Sequence, residues 1–125
     1  MISLAVLYGV LRGVAAGKGV ISYDDLSRLY HGVTGDWHEP HGGTWDVPLA
    51  EVNGHLKAAR LPPLSALVTD RPRGGDSLGP PTTGFWGSPG VPPRPARGDD
   101  RLMVWMGFVT LAHRAAWPES LPGLA

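Results

Sequence analysis

The residues best suited to chemistry lie in one short stretch, His38-Glu39-Pro40-His41, with Asp36 before it and Asp46 after it. Imidazole and carboxylate are the donors that zinc or manganese takes at neutral pH, and a glycine-rich loop can wrap an ion. Against a metal, the H-x2-H spacing has no second ligand pair at standard separation. His38, His41 and Asp36 therefore stand as weak candidates, beside the plainer expectation of a polar loop whose histidines face water or backbone groups. Serine, histidine and aspartate are all present, but Gly87-Ser88-Pro89-Gly90 lacks the strand-to-helix setting of a nucleophile elbow. Arg73-Gly74-Gly75-Asp76 lacks the Lys-Ser/Thr ending of a phosphate loop. With no cysteine, thiol nucleophiles, thiolate metal sites and disulfides are excluded. The expectation is a non-enzyme without a cofactor, and the missing cysteines fit a reducing, cytoplasmic setting.

The other chemistry-bearing groups are arginines and tryptophans. Formal net charge is zero over 125 residues, so no global field draws the protein to nucleic acid or to an anionic membrane. Arginines nonetheless collect between positions 60 and 101, as Arg60, Arg71, Arg73, Arg94, Arg97 and Arg101, so any anion-binding surface is expected in the second half. Arginines spaced among Gly and Pro can track phosphates with little sequence preference; otherwise they keep a loop soluble. Five tryptophans are many for this length. Trp105 fits a core position. Trp37, Trp45, Trp86 and Trp117 are either buried anchors for irregular segments or, if exposed, sites for a protein partner or for stacking unpaired bases.

The elements that must position these groups fit a single domain. Residues 1–16 are apolar but too short to span a bilayer and have no basic leader, so they are expected to form a first helix, with Ile2, Ala5, Val6, Gly9, Val10 and Gly13 on one stripe. That stripe is a core face or a face for a second copy. Gly17-Lys18-Gly19 should end the helix, with glycine supplying the left-handed cap. After the extended stub Val20-Ile21, Ser22 should cap a second helix running to about Tyr30 or His31, with Leu26, Leu29 and Tyr30 inward. Residues 32–44 hold too many glycines for regular structure. Asp46 should cap a third helix that buries Leu49, Val52, Leu56 and Ala59 and leaves Glu51, Asn53, Gly54, His55 and Lys57 outside.

Leu61-Pro62-Pro63 stops that helix, and Leu64 to Thr69 suits a buried strand. Residues 70–83 read as a hairpin tip, with Gly84-Phe85-Trp86 as the returning strand. Nine of the 13 prolines fall between Pro62 and Pro95, so 87–98 should be an extended Pro/Gly-rich loop. Asp99 or Asp100 should cap a last helix, 99–116, with Leu102, Trp105, Met106, Val109 and His113 on one face, followed by a tail over 117–125.

Val20-Ile21-Ser22-Tyr23-Asp24-Asp25-Leu26-Ser27 stands where the alkylguanine DNA alkyltransferases and their alkyltransferase-like relatives carry V-x-T-Y-G-x-[IL]-A, and Leu61-Pro62-Pro63-Leu64-Ser65-Ala66-Leu67-Val68 stands where they carry a Pro-containing turn into a hydrophobic strand. The 20–86 segment thus resembles the winged-helix domain of that family. It is also similar to small bacterial domains, some found beside restriction nucleases, whose strand reads LPPLSALVV. The resemblance implies an α+β, winged helix-turn-helix-like core with an N-terminal helix, a long Pro/Gly-rich wing and a C-terminal helix. Where the family's reactive cysteine motif should follow the strand, Val68-Thr69-Asp70-Arg71 stands instead. What the resemblance implies is therefore a non-catalytic DNA binder, not an alkyl acceptor.

On that reading Asn53, His55, Lys57 and Arg60 of the third helix and Arg71, Arg73, Arg94 and Arg97 of the loops meet nucleic acid. The alternative is a protein-interaction or assembly subunit of a bacterial or phage complex, or a homo-oligomer, using the tryptophans. Neither reading involves a membrane.

Overall fold

The computed structural model describes residues 1–70, 81 and 83–124. Among these it shows a small α+β arrangement of four helices and a two-stranded parallel sheet: α1 (Leu4–Ala16), β1 (Ile21–Ser22), α2 (Tyr23–Thr34), α3 (Asp46–Ala58), β2 (Val68–Thr69) and α4 (Gly98–Arg114), with 3-10 turns at Leu64–Leu67 and Thr83–Phe85. No described helix is long and apolar enough to cross a membrane.

α1 starts at Ser3, whose hydroxyl accepts from the Val6 N–H. It buries Leu7, Tyr8, Leu11 and Ala15. The expected stripe is thus wrong in phase: Gly9 and Gly13 face solvent, with open space where a side chain would be. Burial follows apolar area, and Leu7, Tyr8 and Leu11 offer far more of it than two glycines. The left-handed turn after α1 is made by Lys18 at φ 55°, while Gly17 stays at −79°. Lys18 Nζ then donates to the His113 carbonyl at 3.0 Å, and His113 Nε2 lies 2.9 Å from the Gly19 carbonyl, tying this turn to the end of α4.

Ser22 caps α2 as expected, accepting from the Asp25 N–H at 3.2 Å. The helix runs on to Thr34, where Gly35 at φ 80° closes it. Leu26 and Tyr30 are buried, but Leu29 is exposed, because Tyr23 and Ser27 complete the inner face instead. In α3 the cap position is Trp45, not Asp46, and Ala59 lies exposed beyond the last turn. The inner face is Leu49, Val52, Asn53 and Leu56, an i, i+3, i+4, i+7 set. Asn53, expected outside, is only 1% exposed.

The expected strand over 64–69 is mostly a 3-10 turn. Only Val68 and Thr69 are extended, pairing in parallel with Ile21 and Ser22. A wing is an antiparallel hairpin, so this pair is not one. The expected returning strand Gly84-Phe85-Trp86 is likewise a 3-10 turn running into a bend. Most of the expected hairpin tip, 71–80 and 82, lies outside the described residues.

Leu64–Val68 is the centre of the molecule. All five residues are buried, and α1, α3 and α4 pack around them. Several of their polar groups are met by side chains. The Ser65 N–H donates to Asn53 Oδ1 at 3.4 Å, Asn53 Nδ2 donates to Ser65 Oγ at 2.7 Å and to Ser88 Oγ at 3.2 Å, and Trp105 Nε1 donates to the Ala66 carbonyl at 2.8 Å. α4 begins one residue earlier than expected, with Arg97 at the cap and no side-chain bond there. Its buried face is Trp105, Val109 and Ala112, while Leu102 and Met106 are exposed. The expected face is therefore rotated, because Trp105 must point at Ala66.

The tail folds back. Trp117 Nε1 donates to the Ala112 carbonyl at 2.8 Å, the Tyr8 hydroxyl donates to the Pro118 carbonyl, and Leu121 is buried. Burial raises the Tyr8 phenol above its ordinary range, opposed in part by the Arg12 guanidinium. A raised acid keeps its stabilising protonated form below the ordinary phenol range and loses it only as pH climbs through the raised value. The Tyr8 tether should therefore hold at neutral pH and fail in alkali.

Two outcomes are expected. Asn53→Ala leaves the buried Ser65 N–H without its partner and should lower unfolding stability in urea by about 2–3 kcal/mol; a loss below about 0.5 kcal/mol would remove Asn53 from the centre of the fold. Tyr8→Phe should cost about 1 kcal/mol and expose residues 115–124 to limited proteolysis, with a smaller loss of stability as pH rises through the phenol range.

Candidate functional site

The sequence candidates separate in space. His38 packs its ring against Tyr30 and Trp45, with centroids 5.4 and 5.9 Å away, and its Nε2 is buried without a hydrogen-bond partner. His41 lies instead 3.3 Å from Asp24 Oδ1 in an exposed pair. Asp36 is exposed, its N–H donating to Thr34 Oγ1. Among the described residues no three histidine or acidic groups come together as a metal site.

Trp45 is wholly buried, its indole N–H donating to Ser27 Oγ at 2.9 Å, so it anchors the loop before α3 and offers nothing to a partner. Trp37 is exposed and bonded to Glu39, beside the His31 ring. Trp117 is spent on the tail contact already described. Asn53 is internal. His55 is half-buried, with Gly123 so close that an added Cβ would lie 3.0 Å from the imidazole. Lys57 and Arg60 are exposed at the end of α3, where Arg60 adopts φ 60°. Arg71 and Arg73 lie outside the described residues.

One predicted residue from each set does meet the other. Trp86 and Arg94 line a cavity of about 310 Å³ at the start of α4, together with Arg101, Leu102 and Trp105. Each wall has a local cause. Trp105 sits with its ring buried and its N–H fixed on Ala66, so it is rigid. Trp86 is half-buried and packs edge-on against Phe85, centroids 5.0 Å apart, and Phe85 meets Phe108 at 6.0 Å. Pro81 and Gly98 complete the lining with Arg94 of the 87–97 segment. Its prolines lack N–H groups, so its carbonyls outnumber its donors. Arg101 supplies the missing donors, with one guanidinium nitrogen 3.0 Å from both the Pro95 and the Ala96 carbonyls.

Arg101 is thus committed to structure. Arg94 is exposed and makes no hydrogen bond or ion pair among the described residues. The lining carries two guanidinium groups, two indoles and no carboxylate among the described residues. Arg97 is exposed beside it at the head of α4. A second, polar cavity of about 230 Å³ lies between the 40–43 loop and Gly84, near Asp46 and Asp70.

Sequence reasoning placed Leu102 and Trp105 in the core and gave Arg101 no particular role. The signal that could have found this site is the proline count of 87–97, which demands a donor from elsewhere.

In comparisons with protein-family models, curated proteins and solved structures, the chain has no match.

Arg101→Met removes a charged donor shared by two carbonyls and should cost about 1.5–3 kcal/mol, with faster amide exchange in 94–101 while α1 and α2 stay protected. Equal exchange in both proteins would show that the segment is held by something else.

Proposed function

We propose that the protein is a non-catalytic docking domain that binds a protein partner through the exposed side of α4 and the cavity beside it. The observation that carries this reading is the set Leu102, Met103 and Met106, which are 56%, 73% and 40% exposed. They lie within about one turn of each other in the first half of α4, flanking the face that Trp105, Val109 and Ala112 lock into the core. Exposed apolar side chains scattered singly need no explanation, but a cluster beside an indole-lined cavity is the kind of surface that partners cover. Methionine suits it because its unbranched, polarizable chain adapts to the shape it meets.

Nucleic-acid binding, with the winged-helix architecture that the alkyltransferase-like resemblance implies, is the second reading. The exposed Arg94 and Arg97 near Trp86 favour it. Weighing against it, Asp99 and Asp100 follow immediately in the first turn of α4 and would repel phosphate, and the Asn53 amide is used internally.

The test pairs two double variants in affinity capture and direct titration. Met103→Glu with Met106→Glu should leave the thermal midpoint nearly unchanged, since both side chains are exposed, and should weaken a captured partner's binding at least 30-fold. Unchanged affinity for that partner would sink the docking reading. DNA binding that falls steeply with salt and is lost on replacing Arg94 and Arg97 by alanine would establish the second.

A further inference from the structure

The cavity at the head of α4 has a chemistry of its own. Its volume, about 310 Å³, is at the lower end of the range in which ligand sites bury a ring-sized molecule. Its body is apolar and aromatic, from Trp86, Trp105 and Leu102, and the charge on its described lining is positive, from Arg94 and Arg101, with Asp99 and Asp100 of the same helix turn outside the lining. The two cations are not equivalent. Arg101 has its guanidinium turned to the Pro95 and Ala96 carbonyls, whereas Arg94 has no partner among the described residues. An indole-walled space with one guanidinium unpaired among the described residues at its edge matches a ligand with an apolar ring and one anionic group a few atoms away. The ring would gain from leaving water and from the Trp86 face, and the anion from a charge-assisted, bidentate pair with Arg94. A neutral ligand would leave that pairing unmade, and a cation would be repelled.

We propose that this cavity is a binding site for an aryl carboxylate, with Trp86 and Trp105 holding the ring and Arg94 pairing with the carboxylate. The inference deepens the docking reading, on which it rests only for one possible source of the ligand. A free aromatic acid and the C-terminal residue of a partner chain ending in phenylalanine present the same chemistry. Two of the walls are already set: Trp105 is pinned to Ala66 and Arg101 to the 95–96 carbonyls, so neither need be ordered on binding.

The experiment is a titration of the full chain with 3-phenylpropionate, followed by the five tryptophan indole N–H signals in proton–nitrogen NMR spectra. Saturable binding is expected with a dissociation constant on the order of 0.1–1 mM for so small a ligand. The Trp86 and Trp105 signals should move, while those of Trp37 and Trp45 stay in place. The neutral isostere 3-phenylpropan-1-ol should bind about tenfold more weakly, and Arg94→Gln, at an exposed position, should reduce that preference to less than about threefold. Equal affinity for acid and alcohol, shifts spread over all the indoles, or no saturation by about 20 mM would each overturn the proposal.

A pentapeptide ending in phenylalanine, free or amidated at its C-terminus, separates the two sources. Tighter binding of the free peptide than of 3-phenylpropionate supports a chain terminus, and weaker binding supports a small acid. Met103→Glu with Met106→Glu should leave 3-phenylpropionate binding unaltered, because neither methionine lines the cavity, so failure of the docking face and failure of the cavity are told apart.

Discussion

Everything in this fold depends on satisfying the polar backbone of Leu64–Val68 without a sheet around it. A buried N–H or carbonyl left unpaired costs on the order of 1–3 kcal/mol, and this segment sits at the centre of the core with only its last residue, Val68, in a parallel ladder. The 3-10 turn meets part of it from within, the Ala66 N–H donating to the Pro63 carbonyl and the Val68 N–H to the Ser65 carbonyl, and side chains on two helices meet more. Asn53 of α3 grips Ser65 from one side, and Trp105 of α4 holds the Ala66 carbonyl from another. These bonds fix which face each helix turns inward. α3 keeps its expected Leu49, Val52 and Leu56 face and buries Asn53 within it, whereas α4 leaves Leu102, Met103 and Met106 exposed while Trp105 reaches Ala66.

That trade explains how much was legible in the sequence. The helices themselves were, because Ser22, the aspartates of the first turns and the glycines between elements act locally. The apolar character of 64–69 was legible as burial, but not as a 3-10 turn. A short apolar run looks the same in either conformation, and the Asn53 and Trp105 bonds that decide between them come from 12 and 39 residues away. The phase of α1 was misjudged for a different reason. Counting apolar positions gives Gly9 the weight of Leu7, whereas burial is governed by area.

The cavity was illegible for the same long-range reason. Its walls come from Pro81, the turn at Trp86, the loop at Arg94 and the first turns of α4. Read singly, each has an ordinary explanation: an anchor, a solvated arginine, a core helix. Trp86 and Arg94 belonged to two opposed expectations, protein partner and phosphate, and only the fold places them at one surface.

The loop that joins them is not filler. Val91 is buried, the Gly87 N–H donates to the Pro92 carbonyl at 3.0 Å, and Ser88 donates to the Phe85 carbonyl at 2.6 Å while accepting from Asn53. The hydrogen-bond chain that begins at the buried Ser65 therefore runs through Asn53 and Ser88 to the residues flanking Trp86, and Arg101 completes the far wall. Core and cavity share this network. A site held in this way gains pre-organisation from bonds whose first role is to keep the centre of the molecule satisfied, and a ligand entering it meets walls whose conformational entropy was already lost on folding. The same coupling limits which positions can vary: Asn53, Ser88 and Arg101 answer to the fold as well as to the cavity, whereas Arg94 is tied to neither α3 nor the core and is the lining residue free to set the charge of what binds.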